Sequence, residues 1–517
     1  MAGVHGNRSF LDHQRSLCGC RSRRLLRGLP CGRWGGVIDR PGSDDLTGLT
    51  GTVGVIGLSK TGEAVSRALL ERGVEVKVIE EFFSPETMAD ARRRLESAGC
   101  EVVTGSGAGS GIGAVSGCSL LVTSPGVSAH SMILQAASSG EVEVWSEIEL
   151  AYRIWRSEAP VDDLSRLVAV TGTNGKTTVV SLITEVVTAA GGSAVACGNI
   201  GFPLIDAVTT AGPDTTFVAE VSSFQLHFTQ RFKPNVAVLL NFAPDHMDWH
   251  ADMEEYARAK GKIYLNQARG DHAVWNAGDS GASRIAEASM TPDVTRVPFL
   301  ASKVAKGAVC LDGSTVMSPA GEAIMSIESF PNCKAPTVEN ALATCAAAYS
   351  LGIPGDAITR GMKDFSFPSH RIETVGSARG VEFVDDSKAT NPHAAKSAIA
   401  SFDSVVLIAG GYNKGLDLEE IHGHGDVSVL GRLKAVVAIG DAAAAVVDAF
   451  RETAIPTFEA ANMASAVERA AALAAPGDVV LLSPGCASFD AYPNYAERGD
   501  DFKATVTRLV GSPSGAG

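Results

Sequence analysis

The stretch VTGTNGKTT, Val170–Thr178, sets two glycines, a lysine and several hydroxyls at a spacing suited to holding phosphate. The common phosphate loop reads G-x-x-x-x-G-K-S/T, and Val170 stands where its first glycine would fall. In such a loop the backbone N–H groups and the positive end of the next helix face an anion. Lys176 would reach the terminal phosphates, and the Thr177 hydroxyl would sit on Mg²⁺. A turn with a solvated lysine is the alternative, so the flanks decide. Leu167–Val170 is a short apolar run that reads as a buried strand. Val179, Val180, Ile183, Val186, Val187 and Ala190 then recur at helical spacing until Gly191–Gly192. Strand, glycine loop and helix form the context that phosphate binding needs.

The remaining elements must place this loop beside a substrate. The chain has 517 residues, 45% apolar and 20% charged, enough for roughly three domains of a globular protein. A net charge of −14 implies no broad nucleic-acid or anionic-membrane surface. The ten cysteines include no C-x-x-C pair, and Cys18, Cys20 and Cys31 lack zinc spacing, so a reducing compartment is expected. No apolar run approaches the roughly 18 residues of a membrane helix. Residues 1–40 hold eight Arg and two acids, without an apolar segment of secretory type. We read 1–47 as a disordered extension or a start assigned too early, with a transit peptide as the alternative.

Thr52–Gly57 reads as a strand, Ala64–Leu70 as a helix ended by Gly73, and Val74–Ile79 as a second strand, which is a βαβ unit. Its loop GLSKTG, Gly57–Gly62, lacks G-x-G-x-x-G, although Glu80 and Glu81 lie where a ribose-binding acid would. Leu120–Gly126 is a further strand running into a loop. Phe217–Val221 and Val236–Leu240 are continuous apolar strands of a buried parallel sheet, with polar residues clustered just beyond them. Val381–Val384, Val405–Ala409, Ala435–Ile439 and Val479–Leu482 read as strands of a last domain. The expected fold is α/β in three domains. A Rossmann-like domain spans 48–156, a P-loop ATPase-like domain with a mostly parallel sheet spans 157–367, and a second Rossmann-like domain spans 368–517.

Further stretches join GTNGKTT: GNIG (198–201), EVSSFQL (220–226), DHMD (245–248), YARAK (256–260), HR (370–371), DDSKATN (385–391), GGYNKG (410–415) and SPGCAS (483–488). Together, over roughly residues 50–508, they resemble the Mur ligase family of peptidoglycan synthesis. GTNGKTT is shared with the wider superfamily, including folylpolyglutamate synthases, whereas DSKATN and SPGCAS resemble the branch that adds D-glutamate.

The resemblance implies that ATP phosphorylates the carboxylate of UDP-N-acetylmuramoyl-L-alanine and that D-glutamate attacks the acyl phosphate. Two unit charges about 4 Å apart repel by about 4 kcal/mol at an effective dielectric near ~20. Cations must offset that repulsion between carboxylate and polyphosphate. By resemblance, Gly172, Thr173, Asn174, Gly175, Lys176, Thr177 and Thr178 hold ATP, with Asn340, Arg371 and Asp386. Thr177, Glu220, His246 and Lys260 as a carbamate serve two Mg²⁺ ions, so Lys176, Glu220, His246 and Lys260 form the catalytic set. Lys262, two residues on, competes with Lys260 for that role. Ser59, Lys60 and Thr61 face the uridine diphosphate, and Asn199, Ser222 and Gln225 contact the muramoyl group. Lys388, Thr390, Lys414, Ser488 and Tyr495 surround D-glutamate. A cytoplasmic monomer is implied, without nucleic acid or membrane insertion.

Two positions depart from the family pattern. Tyr495 stands where Phe is frequent. In PTVEN, Pro336–Asn340, Pro336 and Thr337 replace the usual His and Asn, which leaves only Asn340 of that adenine-side motif. The rivals are a ligase of this family for another amino acid, a folylpolyglutamate-synthase-like ligase, an oxidoreductase using the first βαβ unit, and a binding protein without catalysis.

Overall fold

A computed structural model describes residues 49–105, 112–128, 131–159, 163–301, 304–331 and 337–511, all within one structural unit. The expected extension 1–47, its three cysteines, and Pro336 lie outside the described residues. The fold is mixed α/β with three sheets, mostly parallel, as the strand patterns imply.

The first sheet contains β1 (Thr52–Ile56), β2 (Glu75–Glu80), β3 (Glu101–Thr104), β4 (Cys118–Thr123) and β5 (Glu143–Ser146) in the order β3-β2-β1-β4-β5. All its pairings are parallel. The loops after β2, β1 and β4 therefore emerge side by side, where ligands bind in open sheets of this kind. Glu80 does not wait there as a free acid. Its carboxylate accepts the N–H groups of Leu58 and Phe82, both at 2.8 Å, and so shapes the loop.

The second sheet contains β6 (Arg166–Thr171), β7 (Ser193–Gly198), β8 (Thr215–Glu220), β9 (Val236–Leu239), β10 (His272–Asn276), β11 (Thr295–Leu300), β12 (Val309–Asp312), β13 (Thr315–Met317) and β14 (Ala323–Ser326). Its order is β14-β13-β12-β11-β10-β9-β6-β8-β7, antiparallel only at β12–β13 and β13–β14. β6 lies between β8 and β9, so its C-terminal loop opens at a topological switch point. The helices Lys176–Ala189 and Thr337–Ser350 pack over this sheet through Val179, Ile183, Val186, Leu342 and Ala346.

The third sheet contains β15 (Glu373–Ala378), β16 (Val381–Asp385), β17 (Val405–Gly410), β18 (Leu433–Ile439), β19 (Thr457–Glu459) and β20 (Val479–Leu482) in the order β15-β16-β20-β17-β18-β19. Only β15 runs antiparallel. Adjacency of β16, β20 and β17 brings DDSKATN, SPGCAS and GGYNKG together at one sheet end.

The helix Glu147–Glu158 joins the first sheet to the second and is buried along most of its length. Trp145, Tyr152 and Trp155 share a core with Phe217 and Phe232 of the central region. Burying Glu149 at 0% exposure requires full compensation. Its carboxylate accepts the N–H groups of Gln230, Arg231 and Phe232 and the Arg153 Nε–H at 2.7 Å. The Arg153 guanidinium in turn stacks 3.8 Å above Trp145. Removing the carboxylate takes this acceptor from three amides and from the Arg153 Nε–H. Glu149→Ala should therefore cost about 3 kcal/mol, in the range for breaking a buried pair. Urea unfolding measures this, and a midpoint equal to that of the parent protein would contradict the compensation described.

Candidate active site

The phosphate-loop sequence folds as expected between β6 and the helix Lys176–Ala189. Gly175 caps that helix at φ +86°. A Cβ there would lie 2.5 Å from the Asn340 side-chain oxygen, so glycine is required by both conformation and space. Asn340 is buried at the start of its helix and abuts the loop. Thr337 is buried too, in the first position of the same helix.

Lys176 folds over the loop, donating to the carbonyls of Gly172 at 2.9 Å and Thr173 at 2.8 Å. Burial lowers its pKa, opposed by Glu220 and Asp245. Thr173 staples the loop to the Ala243 carbonyl at 3.1 Å. The Thr178 hydroxyl is buried without a hydrogen-bond partner. Thr177 Oγ1 donates to Glu220 Oε2 at 2.8 Å, and Asn199 Nδ2 donates to Glu220 Oε1 at 3.1 Å. Glu220, at the end of β8, thus gathers residues from GTNGKTT and GNIG around one carboxylate.

Lys260 is 1% exposed and donates to the same Gly172 carbonyl at 2.9 Å, with the Tyr256 ring 4.6 Å away. Burial first, then Lys176, pushes its pKa well below the ordinary lysine value. Lys262 instead caps the helix and donates to the His227 and Thr229 carbonyls. The structure therefore brings Lys260, and not Lys262, to the phosphate loop. His246 follows β9 at φ +59°, with its ring 4.7 Å from that of Phe224. Burial holds its pKa down to about 3, so the imidazole is neutral and has a lone pair to offer.

Residues from the third sheet reach this loop. Arg371 and Asp386 line a slot with Asn174, Gly175, Asn340 and His393. Asp386 is buried and accepts the Ser483 hydroxyl at 2.9 Å, and burial raises its pKa to about 7 despite the nearby Arg371. The Arg371 Nε–H is buried without a partner. Lys388 lies 5.5 Å from the Tyr495 ring centroid, and burial, then Arg371, lowers its pKa to about 8. Thr390 is half-buried nearby in sequence, and Ser488 is buried. Lys414 pairs with Asp245 at 2.6 Å.

Four residues outside the expected set organise these contacts. Asn391 Nδ2 donates to Asp245 at 2.9 Å and to Asn174 Oδ1 at 3.0 Å, and Asn174 Nδ2 returns a bond to Asn391 Oδ1. Asp245 thus binds Asn391 and Lys414 at once. Arg498, 1% exposed, donates to the Ser387, Cys486 and Ala487 carbonyls and fixes the two loops against each other. His393 meets Asn174 Nδ2 at 3.2 Å. Asp245 and Asn391 stand inside the quoted motifs, but nothing in their spacing reveals that they meet each other.

The first sheet carries a cleft of about 690 Å³, lined by Ser59, Lys60, Thr61, Ser124 and Phe82 and closed on the central side by Asn199. Ser59 also caps its helix, accepting the Gly62 N–H at 3.5 Å. Ser222 and Gln225 are engaged with each other. They form a capping box, in which Gln225 Oε1 accepts both the Ser222 N–H and its hydroxyl at 3.0 Å.

Three family descriptions match the chain: Mur ligase MurD-like N-terminal domain over residues 51–146, Mur ligase middle domain over 170–348, and Mur ligase glutamate ligase domain over 370–486. The UDP-N-acetylmuramoylalanine--D-glutamate ligase of Frankia casuarinae is 38% identical, covering 88% of this chain and 94% of that protein. The enzyme of the same name from Pelotomaculum thermopropionicum is 39% identical, covering 88% and 97%. The crystal structure of MurF from Acinetobacter baumannii matches with a TM-score of 0.56 at 17% identity, covering 87% of this chain and 93% of that one, which shows the shared fold.

The protonation of His246 is directly testable. Its folded pKa of about 3 lies below the ordinary 6.5, so the native state binds fewer protons than the unfolded state between those values. Its contribution to stability is complete above pH 6.5 and is lost as pH falls toward 3. Histidine-selective NMR should show its ring at the neutral shift from pH 7.5 to 5. A midpoint near 6.5 would contradict the burial described.

Proposed function

The chain belongs to the Mur ligase family, and from that premise we propose that it joins D-glutamate to UDP-N-acetylmuramoyl-L-alanine with ATP. The products are the amide, ADP and phosphate, which makes this a step of peptidoglycan synthesis. The supporting observation is the contact of the phosphate loop, through Asn174–Asn391, and of the loop after β9, through Asp245–Lys414, with loops of the third sheet. It sets a nucleotide site against loops whose lysines suit a dicarboxylate.

The chemistry follows from charge. A substrate carboxylate oxygen attacks the γ-phosphorus, the bridging P–O bond breaks, and ADP leaves. The amine of D-glutamate then attacks the acyl carbon, phosphate departs with one former carboxylate oxygen, and the amine loses its proton. Lys176 and the loop N–H groups stabilise the charge on the transferring group. Thr177, Glu220 and His246 offer hydroxyl, carboxylate and neutral imidazole and would hold Mg²⁺, which would supply charge neutralisation for the polyphosphate. A neutral Lys260 amine can add to CO₂ and release one proton, and the resulting carbamate would join the residues able to hold the metal. Arg371 and Asp386, beside Asn340, take the nucleotide, with Asn340 facing the adenine side alone. Lys388, Thr390, Lys414, Ser488 and Tyr495 take D-glutamate, and the cleft at Ser59, Lys60 and Thr61 takes the uridine diphosphate. Asn199 lies at the boundary of that cleft and the metal carboxylate, so it suits the muramoyl group between them. Ser222 and Gln225, held to each other in their capping box, are assigned to the same muramoyl group. An acyl phosphate hydrolyses in water, so the interdomain contacts also serve to exclude it. The substrates place the enzyme in the cytoplasm, where we expect a monomer.

Phosphate release with ATP, Mg²⁺ and UDP-N-acetylmuramoyl-L-alanine should depend on D-glutamate when the amino acid is varied, and mass spectrometry should find the amide. Release with another amino acid only would overturn the substrate assignment. Lys176→Ala should lower turnover by at least about 100-fold, the scale seen when one charge-stabilising donor is removed, with an unchanged unfolding midpoint. Undiminished turnover in that variant would remove the mechanism.

A further inference from the structure

We propose that His227, His250 and Glu255 bind one transition-metal dication of the zinc class, at a site built from residues the phosphate-loop chemistry does not use. The three donor atoms lie within 4.8 Å of one another. His227 Nδ1 is 3.6 Å from Glu255 Oε1, and His250 Nδ1 is 4.0 Å from Glu255 Oε2.

His250 supplies the strongest indication. It is 1% exposed, and its Nδ1 is buried without a hydrogen-bond partner. Its Nε2 lies 2.9 Å from the buried Ser223 hydroxyl. With the proton on Nε2 and donated to Ser223, the Nδ1 lone pair faces a carboxylate. The buried Nδ1 then has an acceptor in front of it and no donor, a costly arrangement for the imidazole that a cation between the two resolves. A proton on Nδ1 would not resolve it at 4.0 Å, which is beyond hydrogen-bond length.

The rest of the site suits the same ion. Two imidazoles and a carboxylate with room for water are a donor set for zinc. His227 and Glu255 are partly exposed, at 31% and 25% of their side chains, which leaves a side open to solvent. Ser223 on His250, and the Ala251 N–H donated to Glu255 at 2.7 Å, orient the donors as outer-shell groups do. The donors belong to the helix Ser223–His227, the segment after His246, and the helix Met253–Gly261. An ion would tie together the elements that carry His246 and Lys260. Trp249 packs against both imidazoles, at 5.3 Å from His227 and 4.5 Å from His250, and its indole N–H donates to Val127 O at 2.9 Å. The ion would thereby also stiffen the contact with the first-sheet cleft that Val127 lines.

Cobalt titration of the full-length protein in excess Mg²⁺ tests this. Co²⁺ at a low-coordinate histidine site absorbs visible light far more strongly than Co²⁺ in an octahedral oxygen site. One equivalent of such absorbance should appear, be displaced by Zn²⁺, and be lost in both His227→Gln and Glu255→Gln. Zn²⁺ should raise the Tm of the parent protein and not that of His227→Gln, whose Mg²⁺-dependent turnover should be unchanged. Absence of the band, or its retention at full stoichiometry in both variants, would overturn the site. If either substitution lowers the metal-free Tm, the parent protein decides: no rise in Tm with Zn²⁺ would overturn the proposal.

Discussion

Two lysine side chains share one carbonyl oxygen. Lys176, half-buried, and Lys260, buried, each donate to Gly172 O at 2.9 Å. Two ammonium ions cannot both stay charged so close together in a desolvated place without anions to hold them. Burial and mutual repulsion lower the pKa of Lys260 far more than Asp245 and Glu220 raise it. In the proposed reaction this unstable pairing has two remedies. A polyphosphate engages Lys176, and Lys260, held neutral, can add to CO₂ with loss of a proton to become a metal-binding anion. On that proposal the loop is arranged around charge that its substrates bring.

Each sheet presents its loops to meet that charge. In the first, β2, β1 and β4 end at the 690 Å³ cleft. In the second, β8, β6 and β9 deliver Glu220, the phosphate loop and Asp245. In the third, β16, β20 and β17 deliver Asp386, Ser488 and Lys414. The buried helix Glu147–Glu158 fixes the first sheet to the second through a shared core and Glu149. The second and third are joined by polar contacts at Asn391, Lys414 and His393. Such contacts exchange with water more readily than an apolar core does, which suits a boundary that must admit substrates and then close.

Much of this was legible in the chain. Strand–loop–helix flanks identified VTGTNGKTT, and the apolar runs located β1, β2, β4, β6, β8, β9, β16, β17, β18 and β20, because buried strands need no alternation. β3, β5, β12–β14 and β19 are too short, at three or four residues, to carry a periodic signal, and in β7, β10, β11 and β15 polar, Gly or Pro residues interrupt or cut short the apolar run. Lys260 and Lys262 could not be separated by spacing, because helical position does not say which lysine the tertiary fold will bury. Ser222-x-x-Gln225 is a capping-box spacing, and the side chains satisfy each other as that motif requires. Asn391, Asp245 and Arg498 were hidden for a different reason. Their partners lie 111 to 217 residues away for Arg498–Ser387 and Asn391–Asn174, and no local pattern encodes such a pairing.

The fate of a carboxylate oxygen probes the chemistry most directly. UDP-N-acetylmuramoyl-L-alanine labelled with ¹⁸O in its carboxylate should be turned over with ATP and D-glutamate, and the released phosphate examined by mass spectrometry. Activation through an acyl phosphate at the Lys176 loop requires one labelled oxygen in each phosphate formed. Amide formation with unlabelled phosphate would show that the carboxylate never bonded to phosphorus, and would contradict the role assigned here to the loop.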